Sequence, residues 1–112
     1  MILIKLLAAI IMIESGGNDL AYNKREDACG CLQIRPIMVA EFNRIGIPFT
    51  LDDRWNCGKS MKAFDMWVLA NRYANAEVIA RKWNGGPNGH KKASTLKYWN
   101  KVKKQLQTNK PR

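Results

Sequence analysis

Ile10-Ile11-Met12-Ile13-Glu14-Ser15-Gly16-Gly17-Asn18 is the stretch on which the reading of this chain turns. Apolar residues run unbroken from Leu6 to Ile13, one carboxylate follows, and a Ser-Gly-Gly breaker comes at once. The pattern predicts a buried helix from about Ile2 to Glu14 that ends at its only acidic residue. A carboxyl at the mouth of an apolar helix is partly desolvated, which raises its pKa and keeps a proton available near neutral pH. A general acid needs that property. Glu14 is therefore the first candidate for chemistry.

Working outward, Ser15 to Ala28 is polar and turn-rich and reads as loop, compatible with a minimal β-hairpin. Cys29 to Ile34 is short and fairly apolar, and Pro36 suits the first position of a second helix that ends at Gly46. Phe49 to Asn56 reads as loop. From Gly58, the spacing of Met61, Phe64, Trp67, Val68 and Ala70 predicts a third helix, broken at Asn71 to Asn75. A fourth runs through Val78, Ile79 and Trp83 and is stopped by Asn84-Gly85-Gly86-Pro87-Asn88-Gly89. Ser94 or Thr95 is expected to cap a last helix with Leu96, Trp99, Val102 and Leu106 on its buried face and a frayed tail from Thr108. Trp83 and Trp99 are expected in the core. The fold class is mainly α: about five helices in one domain, residues 1–112, with loops free to form a substrate cleft.

The 112 residues suffice for one domain, and 46% hydrophobic content with four Trp supports a core. Nineteen Lys and Arg against nine Asp and Glu give a formal charge of +10, which favours a polyanionic partner: nucleic acid, anionic lipid or a bacterial wall. Three cysteines, Cys29, Cys31 and Cys57, cannot form a closed disulfide set. Free thiols are the default in a reducing compartment, and a bridge from Cys57 to Cys29 or Cys31 becomes available on export. With one His and no Cys-x-x-Cys pair, no metal is expected. The apolar N-terminal stretch is too short to span a membrane and is interrupted by Lys5. It lacks a small-x-small cleavage site before Glu14, so a core helix is expected rather than a signal peptide.

Four pieces of the chain line up. Glu14-Ser15-Gly16-Gly17-Asn18 resembles the Glu-Ser-Gly-x-Asn that follows the first helix of lytic transglycosylase domains, the soluble-transglycosylase branch of the lysozyme-like superfamily. Ala28-Cys29-Gly30-Cys31-Leu32-Gln33-Ile34-Arg35-Pro36 is similar to that family's Ala-x-Gly-Leu-Met-Gln-Ile-x-Pro, and Ala80 to Pro87 to its Ala-x-x-Tyr-Asn-x-Gly-Pro. Thr95 to Val102 is similar to its closing Thr-x-x-Tyr-Val-x-Lys-Val. The pieces keep the family's order across nearly the whole chain. Cys31 stands where the family usually has Leu, and Trp83 where it has Tyr; both substitutions keep an apolar side chain.

The resemblance implies a lysozyme-like fold that cleaves the β-1,4 bond between N-acetylmuramic acid and N-acetylglucosamine in peptidoglycan. Glu14 would protonate the leaving oxygen, then, as carboxylate, take the proton of the muramoyl 6-hydroxyl that closes a 1,6-anhydro ring. Gln33 would hydrogen-bond the sugars, Ser15 and Asn84 would orient Glu14 or substrate, and Tyr98 would bring its hydroxyl near Glu14. No cofactor is implied. The glycan strand is the expected partner, the protein is expected to be a monomer, and its place of action is the bacterial wall, reached by export or by phage delivery as an endolysin or virion-associated enzyme. Goose-type lysozymes share the Glu and the Gly-Leu-Met-Gln pattern, so hydrolysis stays open. It needs a second carboxylate, for which Asp19, Glu26 and above all Asp27 are candidates. A nucleic-acid-binding helix built on the C-terminal lysines with Tyr98 and Trp99 is the alternative of another class, and it leaves Glu14, Gln33 and the Gly-Gly-Pro turn unexplained.

Overall fold

The computed structural model describes residues 2–108. Five α-helices and one two-stranded hairpin are present, the mainly helical architecture expected. Contacts group the chain into two units, residues 14–72 and residues 1–13 with 73–112. Helix α1 (Ile2–Ser15) contributes its body to the second of these and its last two residues, Glu14 and Ser15, to the first.

In α1, Leu6, Ala9 and Ile10 are fully buried and Leu7 nearly so, one stripe at helical spacing. The helix expected to be buried is buried along this stripe only: Ile4 and Met12 are 67% and 50% exposed on the opposite side. Gly16 and Gly17 take φ of 65° and 89°, left-handed conformations that side chains with a Cβ rarely adopt, and the helix ends there.

The loop expected at 15–28 contains an antiparallel hairpin, β1 (Tyr22–Asn23) with β2 (Ala28–Cys29), Tyr22 facing Cys29. Cys29 also bridges to Ile34 around the 30–33 turn. Helix α2 (Pro36–Arg44) begins on its proline as predicted, buries Val39 and Phe42, and leaves Ile37 exposed. Phe42 meets Phe49 edge-on, ring centres 5.2 Å apart. Within the segment expected to be loop, Asp52–Trp55 winds a single 3-10 turn. Helix α3 (Cys57–Ala70) starts on Asn56, whose Oδ1 accepts from the Lys59 amide at 2.9 Å. Its buried face is Ser60, Ala63, Phe64, Trp67 and Val68, so the predicted stripe holds at Phe64, Trp67 and Val68 and is corrected at its ends, where Met61 is 38% exposed and Ala70 is exposed.

In the other unit, Asn75 caps α4 (Ala76–Gly85) through the Val78 amide, and Ile79, Ala80 and Trp83 are buried. The breaker segment holds a 3-10 turn, Gly89–Lys91, ahead of α5 (Ala93–Thr108). Ser94 and Thr95 lie inside α5, so neither is the predicted cap. Thr95 is instead fully buried, its hydroxyl against the Gly89 carbonyl and accepting from Arg81 Nε at 2.9 Å. The buried face of α5 is Thr95, Tyr98 and Val102; Leu96 is 44% exposed and Trp99 and Leu106 are only half-buried. The predicted face holds at Val102, but in the first turns of the helix Thr95 and Tyr98 take the buried places expected of Leu96 and Trp99. Of the tail predicted to fray from Thr108, Thr108 is the last residue of α5 and the rest lies outside the described residues.

Candidate active site

The first and second sequence motifs meet in the unit of residues 14–72. Ser15, directly after Glu14 at the end of α1, donates its hydroxyl to the Cys31 carbonyl at 2.7 Å, and the Gly17 amide donates to the same hydroxyl at 3.1 Å. One side chain thus closes the helix end and pins it to the 30–33 turn. Glu14 is half-buried at that junction and engaged in polar contact. The turn is fixed in return by a disulfide from Cys31 to Cys57, the first residue of α3. This decides between the pairings the sequence leaves open and overturns the default of three free thiols. Cys29 is the free cysteine, and burial pushes its thiol up, away from the reactive thiolate.

Gln33 sits in the same turn with φ of 50°. Its Nε2 donates to the carbonyls of Ala21 and Gly30, both at 3.0 Å. Both amide hydrogens are committed to backbone, so a bond from Gln33 to a sugar would be one accepted by Oε1. Gly30, φ of 80°, is beneath: a Cβ there would overlap the Arg54 carbonyl oxygen.

Of the three candidate second carboxylates, Glu26 is exposed and pairs with Arg35 at 3.6 Å, and Asp19 is exposed near the disulfide. Asp19 and the two sulfurs form a group within metal-binding distance, but sulfurs bonded to each other are not thiolate ligands. Asp27 is held most firmly. The Arg54 guanidinium, 6% exposed, lies 3.5 Å from its carboxylate and donates to its carbonyl at 2.7 Å and to the Ile34 carbonyl at 3.3 Å. Desolvation, then the Asp27 charge, raises the pKa of the Tyr22 phenol. Asp27, like Gln33, has a positive φ (49°), so two of the three described non-glycine residues with positive φ are site candidates. Strained backbone of this kind persists where the surroundings over-determine it.

Two residues the sequence reading missed join this group. Tyr22 and Trp55, 51% and 37% exposed, bring their rings to 5.9 Å and present an aromatic face beside Asp27. No sequence pattern marks them, since the hairpin and the 3-10 turn that carry them are too short to leave a period. Arg54, likewise, carries no mark in the sequence.

Asn84 and Tyr98 belong to the other unit. Asn84 is half-buried in the last turn of α4, and Tyr98 is buried on α5. Beside the Asn84-to-Gly89 segment, Arg81 pairs with Glu77 at 2.7 Å and donates to the Lys92 carbonyl at 2.9 Å, and Lys92 Nζ donates to the Gly85 carbonyl at 2.8 Å. No helix among the described residues is long and apolar enough to cross a membrane.

Comparison with known proteins supplies the family. The chain is 35% identical over 85 residues to a lysozyme of Ostrea edulis, covering 72% of this chain and 62% of that protein. It is 30% identical over 109 residues to a lysozyme of Meretrix lusoria, covering 88% of this chain and 85% of that one. A stretch of 27 residues, 24% of this chain and 20% of the relative, is 59% identical to invertebrate-type lysozyme 6 of Caenorhabditis elegans. The chain belongs to the lysozyme family. It spans 62% of the length of the Ostrea protein. No family model matches the chain, and no solved structure matches it. The lysozyme-like membership expected from the four motifs holds, while these relatives carry the name lysozyme and not lytic transglycosylase.

Proposed function

We propose that this protein cleaves the β-1,4 bond between N-acetylmuramic acid and N-acetylglucosamine in bacterial peptidoglycan by hydrolysis, with Glu14 as general acid. The observation that carries the reading is the Ser15–Cys31 hydrogen bond, which ties the Glu14 helix end to the Gly30–Gln33 turn. Glu14 gives its proton to the glycosidic oxygen as the bond to C1 breaks. A carboxylate on the other side of the sugar either activates the water or takes C1 covalently before water releases it. Asp27 is our choice for that second group, because a buried guanidinium holds both its carboxylate and its carbonyl. Gln33 accepts from a sugar hydroxyl, and Tyr22 and Trp55 offer apolar faces against which pyranose C–H groups pack. Asn84 and Tyr98 remain assigned to substrate contacts on motif resemblance alone.

The relatives' names weigh for hydrolysis over formation of a 1,6-anhydro ring, the outcome first expected from the motifs. The disulfide fits action outside a reducing cytosol. The test is a peptidoglycan digest by wild type, Glu14→Gln and Asp27→Asn, read by mass spectrometry. Reducing muramic ends from wild type, none from Glu14→Gln, and at least a hundredfold fewer from Asp27→Asn are expected. Anhydro ends, with Asp27→Asn still active, would return the protein to the transglycosylases; no cleavage by folded wild type would remove the enzyme reading.

A further inference from the structure

The charge of this protein is divided unequally between its two units. Residues 14–72 carry eight cations and eight carboxylates, whereas residues 1–13 and 73–112 carry eleven cations and one carboxylate, Glu77. The whole formal +10 therefore belongs to the second unit. Its single carboxylate is already engaged by Arg81 at 2.7 Å, so nothing acidic in that unit is left to offset the rest.

Helix α5 concentrates the excess. Its 16 residues include four lysines and no acidic residue. Lys97, Lys101 and Lys104 recur at i, i+4 and i+7, which aligns them in one stripe about 10 Å long. All three are exposed, and among the described residues none has a carboxylate within ion-pair distance. The buried Thr95, Tyr98 and Val102 hold a different face of the helix. Like charges at i, i+4 oppose helix formation by about 0.2–0.5 kcal/mol per pair. A stripe of this kind is relieved by an anion from outside the protein.

We propose that the Lys97–Lys101–Lys104 stripe docks a phosphodiester-linked wall polymer, holding the enzyme on the surface it degrades. The proposal rests on the peptidoglycan-cleaving reading for its choice of surface. Two observations select this occupant. The stripe has no stacking aromatic: Tyr98 is buried and Trp99 only half-exposed, and the other exposed side chains of the helix include Leu96, Asn100 and Gln107. Single-stranded nucleic acid is bound by basic grooves with exposed rings for the bases, and none stands here. Second, three ammonium groups within about 10 Å call for closely spaced fixed anions along a chain. A phosphodiester-linked polyol has one in every short repeat of its backbone, whereas a glycan strand carries its carboxylates on separated peptide branches.

The experiment uses Glu14→Gln protein, so that cleavage does not intrude, and measures pull-down by Gram-positive walls before and after phosphate polymer is stripped with acid. Three neutralised phosphates predict a loss of about 20-fold between 50 and 200 mM salt, from a slope near 0.7 per contact. Stripping the walls, or Lys97→Gln/Lys101→Gln/Lys104→Gln, is expected to lower low-salt affinity at least tenfold and flatten the salt slope. Gln keeps the helix, which circular dichroism verifies. Lys24→Gln/Arg25→Gln/Lys62→Gln, the same charge removed from the other unit, is expected to change affinity less than twofold. Equal losses in both triple variants, unchanged binding to stripped walls, or equal affinity for single-stranded or duplex DNA at the same salt would overturn the proposal. A wild type that fails to cleave yet binds polymer-bearing walls through the stripe would refute the enzymatic reading alone.

Discussion

Reduction of the Cys31–Cys57 disulfide is the perturbation whose size the structure fixes best. The bridge closes a loop of 26 residues that contains α2 and the Arg54 turn. In the chain-entropy account, such a loop withholds about 12 cal/mol/K from the unfolded chain, about 3.5 kcal/mol at 25 °C. At about 2.1 cal/mol/K of unfolding entropy per residue, 112 residues convert this into a fall in Tm of about 15 °C. Reduced wild type is the right sample, because it keeps every buried atom of Cys31, whereas Cys31→Ser/Cys57→Ser adds a packing loss. Cys29→Ala in the background prevents the third thiol from exchanging. Calorimetry with and without reductant measures the shift, and urea unfolding should show a larger m-value for the reduced chain as its unfolded state expands. A shift under 3 °C would refute the reasoning. Activity measured well below both midpoints should fall too, since the carbonyl that receives Ser15 belongs to Cys31.

Gly30→Ala must move the Arg54 backbone and adopt a positive φ, so it is expected to lose at least about 3 kcal/mol in denaturant unfolding. Arg54→Met takes the guanidinium away from the carbonyls of Asp27, Leu51 and Ile34, of which Leu51 keeps the Arg54 amide and Ile34 the Cys29 amide, and should cost about 1–3 kcal/mol, with Arg54→Lys recovering part. Ser15→Ala is expected to lose about 1 kcal/mol of stability and to reduce turnover with Glu14 intact, read by activity against a thermal melt. Desolvation, then Lys82, Lys91 and Arg81, lowers the pKa of His90. The unfolded chain therefore takes up protons below about pH 6.5 that the folded one refuses. Stability should fall as pH drops from 7 toward the folded value and level off beneath it. His90→Asn should flatten that slope in chemical denaturation at pH 7.5 and 5.5.

What the sequence made legible follows from the length of each signal. Helices leave a period of several turns, so α2, α3 and α4 could be read to within a few residues, from Pro36, the breaker at 71–75 and the run through Trp83. Which side faced inward was less secure. In α3 and α5 the buried face is set by a neighbour's shape, so Ser60 and Thr95, with hydrogen-bond partners to receive them, displaced Met61 and Leu96 from the expected stripe. The disulfide was undecidable from spacing, because Cys29 and Cys31 are equally placed along the chain to reach Cys57. Two residues on, the strand becomes a turn, and only one of the two thiols leads toward α3.

The site itself divides along the same line. Glu14, Ser15 and Gln33 were visible because each sits in a short motif whose neighbours are forced: glycines that end a helix, a glycine under an arginine carbonyl. Arg54, Tyr22 and Trp55 had no such mark, yet Arg54 places Asp27 and Tyr22 and Trp55 pair their rings. A buried guanidinium is costly to desolvate unless its donors are used, and Arg54 spends them on three backbone carbonyls and one carboxylate. That arrangement fixes the hairpin's Asp27 to the 3-10 turn across 27 residues of chain. Gln33 performs the complementary task, with its two amide hydrogens fixed on Ala21 and Gly30. Both residues hold backbone that would otherwise relax from positive φ, a cost of about 1–3 kcal/mol at each position. Loss of either clamp should therefore loosen Asp27 or the 30–33 turn before it unfolds the protein, and turnover should fall at temperatures where the fold is still intact.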